Sequence, residues 1–299
     1  MTPSVGFSGV HVAHYVEQMT TSAVITSLWR YPVKSLQGER LTESAIDSSG
    51  IEGDRGLALR YVGTNTIVSA KQGAVADVLL SWTAHMDGDD VVIEIDGESL
   101  SCTHQRDAVE QRCSTLLDRD VMLADPNPTE QAVYSSEWPD LDGLVISGVD
   151  VDLPLPMSTE VPTFVDLAAL HLITAQSLRF LAALTPGIEM PTERFRPNMV
   201  IDLDDTEDGF IENAWEGRRA RIGEVELNLT MPTPRCVRTT RKQPMCEEDL
   251  GVLSSLIRHN RIEVEAFATN AACLGIYAEA TSTGTIALGD RFELIDDDR

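Results

Sequence analysis

One cysteine of this chain lies in a segment whose charge is opposite to that of the rest. The stretch 227–246 contains no Asp or Glu, although the whole chain carries 48 acidic residues. Positive charge beside a thiol favours the thiolate, which is both a nucleophile and a soft metal ligand. We therefore predict a reactive thiolate at Cys236, and the local sequence alone leaves open an ordinary half-buried strand cysteine. The cations around it are Arg235, Arg238, Arg241 and Lys242.

A second basic cluster, at 194–198, precedes an apolar strand. Pro197 disfavours the helical region for the residue before it, so we expect Arg196 to be extended at the mouth of the strand. Its guanidinium would then project from a loop, where planar donors suit phosphate or carboxylate recognition. Asn198 adds an amide donor and an acceptor. The alternative is an arginine paired with one of the many carboxylates.

Two shorter clusters near the beginning of the chain also place cations at turns. Lys34 and Ser35 follow Pro32 at a predicted strand end, and a lysine beside a hydroxyl can bind phosphate. Arg55 lies in a Gly-Asp-Arg-Gly sequence, where an ion pair stands between flexible glycines. Each cluster alone is more typical of a structural role. The combination of all four carries the functional prediction.

Length and charge exclude several classes of protein. A chain of 299 residues favours two domains, or one domain with a large insertion. A formal net charge of -25 argues against partners such as nucleic acid or an anionic membrane. No apolar run approaches the ~18 residues of a membrane span, and residues 1–23 lack the pattern of a secretory signal. We therefore expect a cytoplasmic protein with no membrane partner.

The cysteines are odd in number and widely spaced, so we expect reduced thiols rather than a disulfide framework. No pair has the spacing of a zinc knuckle or of a plant-type iron–sulfur site. We expect no iron–sulfur cluster in this chain, so the electrons for any redox reaction would come from elsewhere. The five are Cys102, Cys113, Cys236, Cys246 and Cys273.

Short strands separated by turn residues are predicted in both halves of the chain. Asp96-Gly97 is a hairpin signal, and Thr174 is a candidate helix N-cap. The stretch 125–162, rich in Pro, Asp, Gly and Ser, is predicted to be an irregular connection. Strands are predicted at 24–31, 55–61, 66–69, 91–95, 99–103, 199–203, 220–222, 225–229, 276–280 and 291–295, and helices at 175–184 and 249–260.

Five motifs together resemble those of the MOSC proteins, which bind molybdenum cofactor. They are Tyr-Pro-Val-Lys-Ser, Gly-Asp-Arg, Phe-Arg-Pro-Asn, Pro-Arg-Cys-Val-Arg-Thr-Thr and Gly-Ile-Tyr. The first two look like the β-barrel N-terminal domain of that family, and the other three look like the MOSC domain proper. The comparison we draw is with the mitochondrial amidoxime-reducing component and its bacterial two-domain relatives, which reduce N-hydroxylated compounds.

The resemblance implies an α+β, β-rich fold. In it, an N-terminal β-barrel-like domain packs on a MOSC β-barrel domain that carries a few helices. The implied division is a flexible N-terminal extension at 1–23, the MOSC N-terminal β-barrel domain at 24–124, the irregular connection at 125–162 and the MOSC domain at 163–299.

The resemblance also implies a molybdenum cofactor site, with the metal on molybdopterin and without pyridoxal phosphate. Cys236 would ligate molybdenum and act as the catalytic residue. Lys34, Ser35 and Arg55 would hold the phosphate and pterin. The other cofactor-binding positions are Thr174, Arg196, Asn198, Arg235 and Tyr277.

The implied activity is a molybdenum-dependent reduction of N-hydroxylated or related oxo substrates. No ferredoxin-like extension follows the last predicted strand, so a separate donor is implied, such as a ferredoxin, a flavoprotein reductase or a cytochrome-type protein. The chain departs from its relatives at Pro234, where they have a small polar residue, and at 241–244, which replaces Asp-Pro-x-Thr-Gly. A non-catalytic cofactor carrier therefore stays open, as does a cysteine hydrolase with His171 or His259 as base.

Overall fold

The computed structural model describes residues 23–127, 129, 132–136, 151–154, 163–204, 207–265 and 269–295. Its strands are β1 (Ala23–Arg30), β2 (Glu39–Leu41), β3 (Glu43–Asp47), β4 (Gly50–Ile51), β5 (Ala58–Tyr61), β6 (Thr66–Ile67), β7 (Thr83–Asp87), β8 (Asp90–Ile95), β9 (Glu98–Ser101), β10 (Val121–Ala124), β11 (Val133–Ser136), β12 (Val151–Pro154), β13 (Leu170–Thr174), β14 (Met199–Leu203), β15 (Arg219–Ile222), β16 (Val225–Pro234), β17 (Arg261–Val264), β18 (Thr269–Ala280), β19 (Gly284–Ala287) and β20 (Arg291–Ile295). Its α-helices are α1 (Gly73–Leu79), α2 (Arg106–Leu117), α3 (Ala175–Leu184) and α4 (Gly251–His259), and 3-10 turns span Thr192–Arg194, Ile211–Trp215 and Val237–Thr240. Within the described residues, no helix is long and apolar enough to cross a membrane.

Seven strands close into a barrel in the order β13, β14, β1, β20, β15, β16 and β18, and β18 pairs back with β13. Neighbouring strands are antiparallel except for β13 and β14. Closure gives each strand of the ring a neighbour on both sides, and β2 and β17 add further pairs with β1 and β18. Apolar side chains fill the interior, among them Leu28, Leu172, Ile201, Leu227 and Ile276.

The first strand belongs to this barrel, although we expected it in the N-terminal domain. β1 pairs with β14 and β20, and β3 pairs with β19 near the other end of the chain. Their apolar residues share one core with the C-terminal strands, as Ile46, Ile51 and Ile286 show. Residues 23–51 therefore complete the C-terminal body, and the chain does not divide in space where its sequence motifs change.

A second body lies mainly between residues 57 and 136. Its five-stranded sheet runs in the order β10, β5, β6, β11 and β12, and β7, β8 and β9 form a meander. Helices α1 and α2 contribute Leu79, Val109 and Cys113 to its apolar core. The predicted irregular connection is wrong in its described part, because β11 pairs with both β6 and β12. Its remaining residues, and residues 1–22 of the predicted extension, lie outside the described residues.

The β-rich α+β class is confirmed, and so are several elements. Thr174 Oγ1 accepts the Ser177 N–H at 3.0 Å, which begins α3 as predicted. Asp96 and Gly97 both have positive φ, 52° and 81°, as a tight hairpin requires. The sequence does not predict helices α1 and α2, because α1 is short and α2 buries only two of its residues. Such a helix has little apolar periodicity to detect.

Gly275 occupies a bulge of β18 that only glycine can form without strain. Its φ is +89°, and an added Cβ would lie 2.4 Å from His171 Nε2 and 2.6 Å from the Leu172 carbonyl oxygen. We predict that Gly275→Ala lowers the free energy of unfolding by about 2 kcal/mol or more. Gly289→Ala is the matched control, because its φ is +87° and nothing lies within 4 Å. Equal losses in the two variants, measured by urea unfolding, would contradict the steric argument.

Candidate functional site

The buried carboxylate of Asp54 connects the turn after β1 to the barrel. Its Oδ1 accepts the backbone N–H of Tyr31 at 2.6 Å. Its Oδ2 accepts the guanidinium of Arg55 and also Nδ2 of Asn198, the latter at 3.2 Å. Because Asp54 is 2% exposed, water screens these charge-assisted bonds little. One carboxylate therefore fixes the positions of Arg55 and Asn198 together.

The ring of Tyr31 is the surface on which two predicted site arginines lie. The Cζ of Arg196 is 4.0 Å and the Cζ of Arg55 is 5.3 Å from the ring centroid, both within cation–π range. Burial raises the pKa of Tyr31 although both arginines oppose this, so the phenol is neutral and donates to the Pro197 carbonyl at 3.1 Å. Burial, and then Arg55, lower the pKa of Arg196 to about 10. Two like charges held on one ring favour a shared anion.

Three predicted site residues have left-handed backbones. Ser35, Arg55 and Arg196 have φ values of 71°, 51° and 53°, which residues other than glycine adopt uncommonly and often at functional sites. The predicted extended conformation of Arg196 is therefore wrong. The Arg196 carbonyl lies 3.3 Å from His171 Nδ1, and this contact and the ring contact outweigh the local preference. Ser35 Oγ accepts the Ala70 N–H at 3.2 Å, which leaves its hydroxyl hydrogen for a ligand.

Asn198 joins the elements that carry the site. Its backbone N–H donates to the His171 carbonyl at 2.7 Å, and its Oδ1 accepts the His171 N–H at 3.1 Å. Its Nδ2 donates to Asp54 and lies 3.4 Å from the Trp29 carbonyl. The amide is thus engaged within the protein at every atom. Asn198 therefore positions Asp54 and β13, and its predicted contact with a cofactor stays a prediction.

Two lysines share one carboxylate at the other end of the site. Lys34 Nζ donates to the Phe164 carbonyl at 2.9 Å and to Asp166 Oδ1 at 2.5 Å, and Lys71 Nζ lies 3.1 Å from Asp166 Oδ2. Burial lowers the pKa of Lys34 to about 8 against the effect of Asp166. The pKa of Lys71 is raised: burial opposes the rise, but Asp166 together with Cys236 and Tyr134 outweighs it. An ammonium has three donors, so Lys34 keeps one for a ligand.

Cys236 lies where β16 gives way to the 3-10 turn Val237–Thr240. It is half-buried, whereas the other four cysteines are buried. Beside it, Arg235 Nη2 donates to the Phe195 carbonyl at 2.7 Å, and Nη1 lies 3.3 Å from His171 Nε2. Burial lowers the pKa of Arg235 although nearby groups, Cys236 among them, oppose this. Among the described residues, no group of three or more His, Cys, Asp or Glu side chains is arranged to hold a metal ion.

Tyr277 lies beside His171, whereas Thr174 lies apart from the other predicted site residues. The ring of Tyr277 is 5.7 Å from that of His171, and burial raises its pKa to about 12 against the effect of nearby cations. Thr174 is fully buried, donates to Glu212 Oε2 at 2.7 Å and accepts the Ser177 N–H. Its hydroxyl therefore caps α3 and binds a buried carboxylate, and its predicted place near a cofactor is supported by no contact with the other site residues.

The two candidate bases for a cysteine hydrolase are not hydrogen-bonded to Cys236. His171 Nδ1 faces the Arg196 carbonyl, and Nε2 faces the Leu274 carbonyl, both at 3.3 Å. Burial and then Arg235 lower the pKa of His171 well below its ordinary value, so the ring is neutral and enclosed. His259 is exposed at the end of α4. Neither histidine is therefore placed as a base for the thiol.

Four residues of the site lie outside the set predicted from sequence. Tyr31 and Asp54 belong to the motifs that supplied Lys34 and Arg55. Each stands next to an arginine in the sequence, which is the signal that could have identified them. Lys71 and Asp166 have no comparable signal, since they are far apart in sequence and meet only through folding.

Comparison with known proteins finds two family models on this chain. The MOSC N-terminal beta barrel domain matches residues 22–126, and the MOSC domain matches residues 160–293. Together they cover most of the chain in the order that the motifs predict. No curated protein sequence matches the chain.

Solved structures also resemble parts of the chain. The YUAD protein from Bacillus subtilis is 12% identical over 91% of this chain and 95% of its own, with a TM-score of 0.43. YiiM from Geobacillus stearothermophilus is 16% identical over 43% of this chain and 55% of its own, with a TM-score of 0.30. YiiM from Escherichia coli is 16% identical over 50% of this chain and 65% of its own, with a TM-score of 0.31.

The Asp54–Arg55 pair should contribute strongly to stability. Replacing Asp54 by Asn leaves the Arg55 guanidinium, whose side chain is 14% exposed, without its counter-charge. We expect Asp54→Asn to lower the free energy of unfolding by about 3–5 kcal/mol. Asp96→Asn is the matched control, because its ion pair with Arg112 is exposed and should contribute less than about 1 kcal/mol. Similar losses for both variants in urea unfolding would show that burial of the pair does not matter.

The lysine end should bind oxyanions in a pH-dependent manner. Because the pKa of Lys34 is lowered to about 8, the ammonium is present below that pH and is lost as the pH rises through it. We expect the sulfate affinity of the cofactor-free chain to fall above pH 8 by up to about tenfold per pH unit. Sulfate does not titrate in this range. Lys34→Arg, which keeps its charge, should bind with constant affinity, and an unchanged wild-type affinity up to pH 10 in calorimetric titration would refute the assignment.

Proposed function

Because the chain belongs to the MOSC-domain proteins, which are associated with molybdenum cofactor binding, we propose that it is a molybdenum cofactor-dependent oxidoreductase. We further propose that it reduces N-hydroxylated or related oxo compounds with electrons from a separate donor protein. The observation that carries the proposal is the buried cationic cluster next to a half-buried thiol, in a chain whose net charge is -25.

The residues present fit such a cofactor. The charged side chains that act on one another here are six cations and, among the described residues, two carboxylates: Lys34, Arg55, Lys71, Arg196, Arg235 and Arg238, with Asp54 and Asp166. Nε of Arg235 and both Nε and Nη2 of Arg238 are buried and have no partner in the described part of the chain. Buried donors of this kind are costly unless a ligand accepts from them. A phosphorylated, anionic ligand meets both requirements.

Each end of the site would hold a different part of the ligand. Lys34, through its third N–H, and Ser35, through its hydroxyl, are suited to a phosphate, and Arg55 adds a guanidinium fixed by Asp54. Arg196 lies on the Tyr31 ring and would contact the pterin side. Cys236 would bind the metal as thiolate. Asn198 contributes by holding these groups in register.

When bound, the cofactor supplies a redox-active molybdenum that accepts the oxygen of the substrate's N–O bond. The overall reaction takes one N-hydroxylated compound, two electrons and two protons to the corresponding N–H compound and water. The protein's own contribution is positional and electrostatic. Its cations are oriented by Asp54, Asp166 and the Tyr31 ring, which are groups of the protein itself. Nε2 of neutral His171 lies 3.3 Å from Nη1 of Arg235 and helps to orient that guanidinium.

The ligand role of the thiol is tested by changing it. We expect Cys236→Ser, produced in a host that makes the cofactor, to lose at least about a hundredfold in reduction of an amidoxime with a chemical electron donor. Cys246→Ser is the matched control, because Cys246 is 4% exposed and lies on the same segment. It should retain activity and bound molybdenum. Metal and pterin analysis accompanies both assays.

The results separate the possible functions. Molybdenum in the wild-type protein together with no amidoxime reduction by any donor would favour a cofactor carrier. Absence of molybdenum and pterin from the wild-type protein would end the proposal altogether. Equal activity of Cys236→Ser and wild type would remove the thiol from the mechanism.

A further inference from the structure

Arg238 is a buried cation without a counter-charge. It is 7% exposed, and its only hydrogen bond within the described residues runs from Nη1 to the Arg194 carbonyl at 3.0 Å. Nε and Nη2 have no partner there, and no carboxylate of the described chain forms an ion pair with it. The charged group with the largest effect on the pKa of Arg238 is another cation, Arg196, which lowers it. An isolated buried charge is costly, so this arrangement calls for an anion.

Arg194 shows what a purely structural arginine looks like in the same region. It is 1% exposed, and each of its nitrogens donates to a backbone carbonyl: Nε to Glu189, Nη1 to Thr239 and Nη2 to Glu247. Its guanidinium joins the Val237–Thr240 turn to the neighbouring loop, and each of its three nitrogens has a partner. Arg238 rises from that same turn with two donor nitrogens unused. The difference separates a structural arginine from one that is equipped for a ligand.

Arg196, whose charge acts on Arg238, is also held in place by contacts of its own. Arg196 is 8% exposed, lies on the Tyr31 ring at 4.0 Å and donates to the Leu36 carbonyl. These contacts aim it without neutralising it, because none of them carries a full negative charge. Among the described residues, Asp166 forms its ion pairs with Lys34 and Lys71 and has none with Arg196 or Arg238.

We infer that Arg238 and Arg196 form a second oxyanion-binding position, beside Tyr31 and apart from the lysine end. A phosphate, sulfate or carboxylate group bound there accepts from Nε and Nη2 of Arg238 in the two-point geometry that guanidinium groups favour. Because the proposed function gives the cofactor's phosphate to the lysine end, the occupant expected here is an anionic group of the substrate. The identity of the occupant rests on that function, but the binding position does not.

The test is calorimetric titration of the cofactor-free full-length chain with sulfate, at constant ionic strength maintained with sodium chloride. Measurement at pH 7 in a Lys34→Met background removes the free ammonium donor of the lysine end, while Arg196, whose pKa is about 10, keeps its charge. We expect Arg238→Met to lower the remaining sulfate affinity by about tenfold or more. Arg238→Lys should recover part of it. Lys242→Met, which removes an exposed positive charge from the same segment, should bind as wild type does.

Several outcomes would overturn the inference. Equal sulfate affinity of Arg238→Met and wild type is one, and an equal loss in Lys242→Met is another, because it would indicate a diffuse charge effect. A second measurement does not depend on any variant: sulfate must raise the thermal midpoint of the wild-type chain above that in chloride at equal ionic strength. No shift would refute the site even if Arg238→Met failed to fold.

The cofactor-loaded protein then identifies the occupant. Persistence of Arg238-dependent sulfate binding on loading leaves the position to an anionic substrate group, and its loss shows that the cofactor itself occupies the position. Both results support the site. A chain that contains no molybdenum but binds sulfate through Arg238 would refute the proposed function and leave this inference standing.

Discussion

The geometry of the site depends on one buried carboxylate, that of Asp54. It holds the backbone of Tyr31, the guanidinium of Arg55 and the amide of Asn198 at once. Asn198 in turn is bonded to His171 across β13 and β14. The turn after β1 and two barrel strands are thereby fixed to one another through a single anion. Since the carboxylate is inaccessible to water, the arrangement is far less sensitive to salt than a surface ion pair.

Asp54 and Asp166 explain how an acidic protein maintains a cluster of buried cations. Asp54 neutralises one arginine and Asp166 is divided between two lysines, which leaves the remaining guanidinium groups without full compensation. Their cost is offset in part by the Tyr31 ring and by backbone carbonyls, which stabilise a cation but do not cancel its charge. The site is therefore poised for an anion, and the acidic surface elsewhere does not supply one.

The sequence predicts the strongly patterned parts of this structure and little of what joins them. Strands β14 and β20, the hairpin at Asp96 and the N-cap at Thr174 follow from alternation, turn chemistry and capping, all of which are local. The membership of β1 in the barrel does not follow, because pairing with β14 and β20 is decided by contacts across most of the chain. Helix α2 is not predicted, since its surface is mostly polar and its few apolar residues do not show the helical period.

The candidate site likewise has residues that the sequence predicts and partners that it does not. Cationic side chains in motifs can be recognised from sequence, because charge reversal in an acidic chain is visible without a structure. Their partners cannot, since Asp166 meets Lys34 only when residues 132 positions apart come together. Arg196 shows the limit most clearly: the proline after it favours an extended backbone, and the fold imposes a left-handed one.

That strained backbone has a physical consequence for ligand binding. Ser35, Arg55 and Arg196 hold uncommon backbone conformations that the surrounding fold stabilises, so folding meets their conformational cost. An anion that binds to them gains electrostatic attraction without having to order this backbone. The anion in turn neutralises charges that disfavour the folded state. Ligand binding and folding stability are therefore coupled through the same guanidinium groups, and the bound chain must be the more stable form.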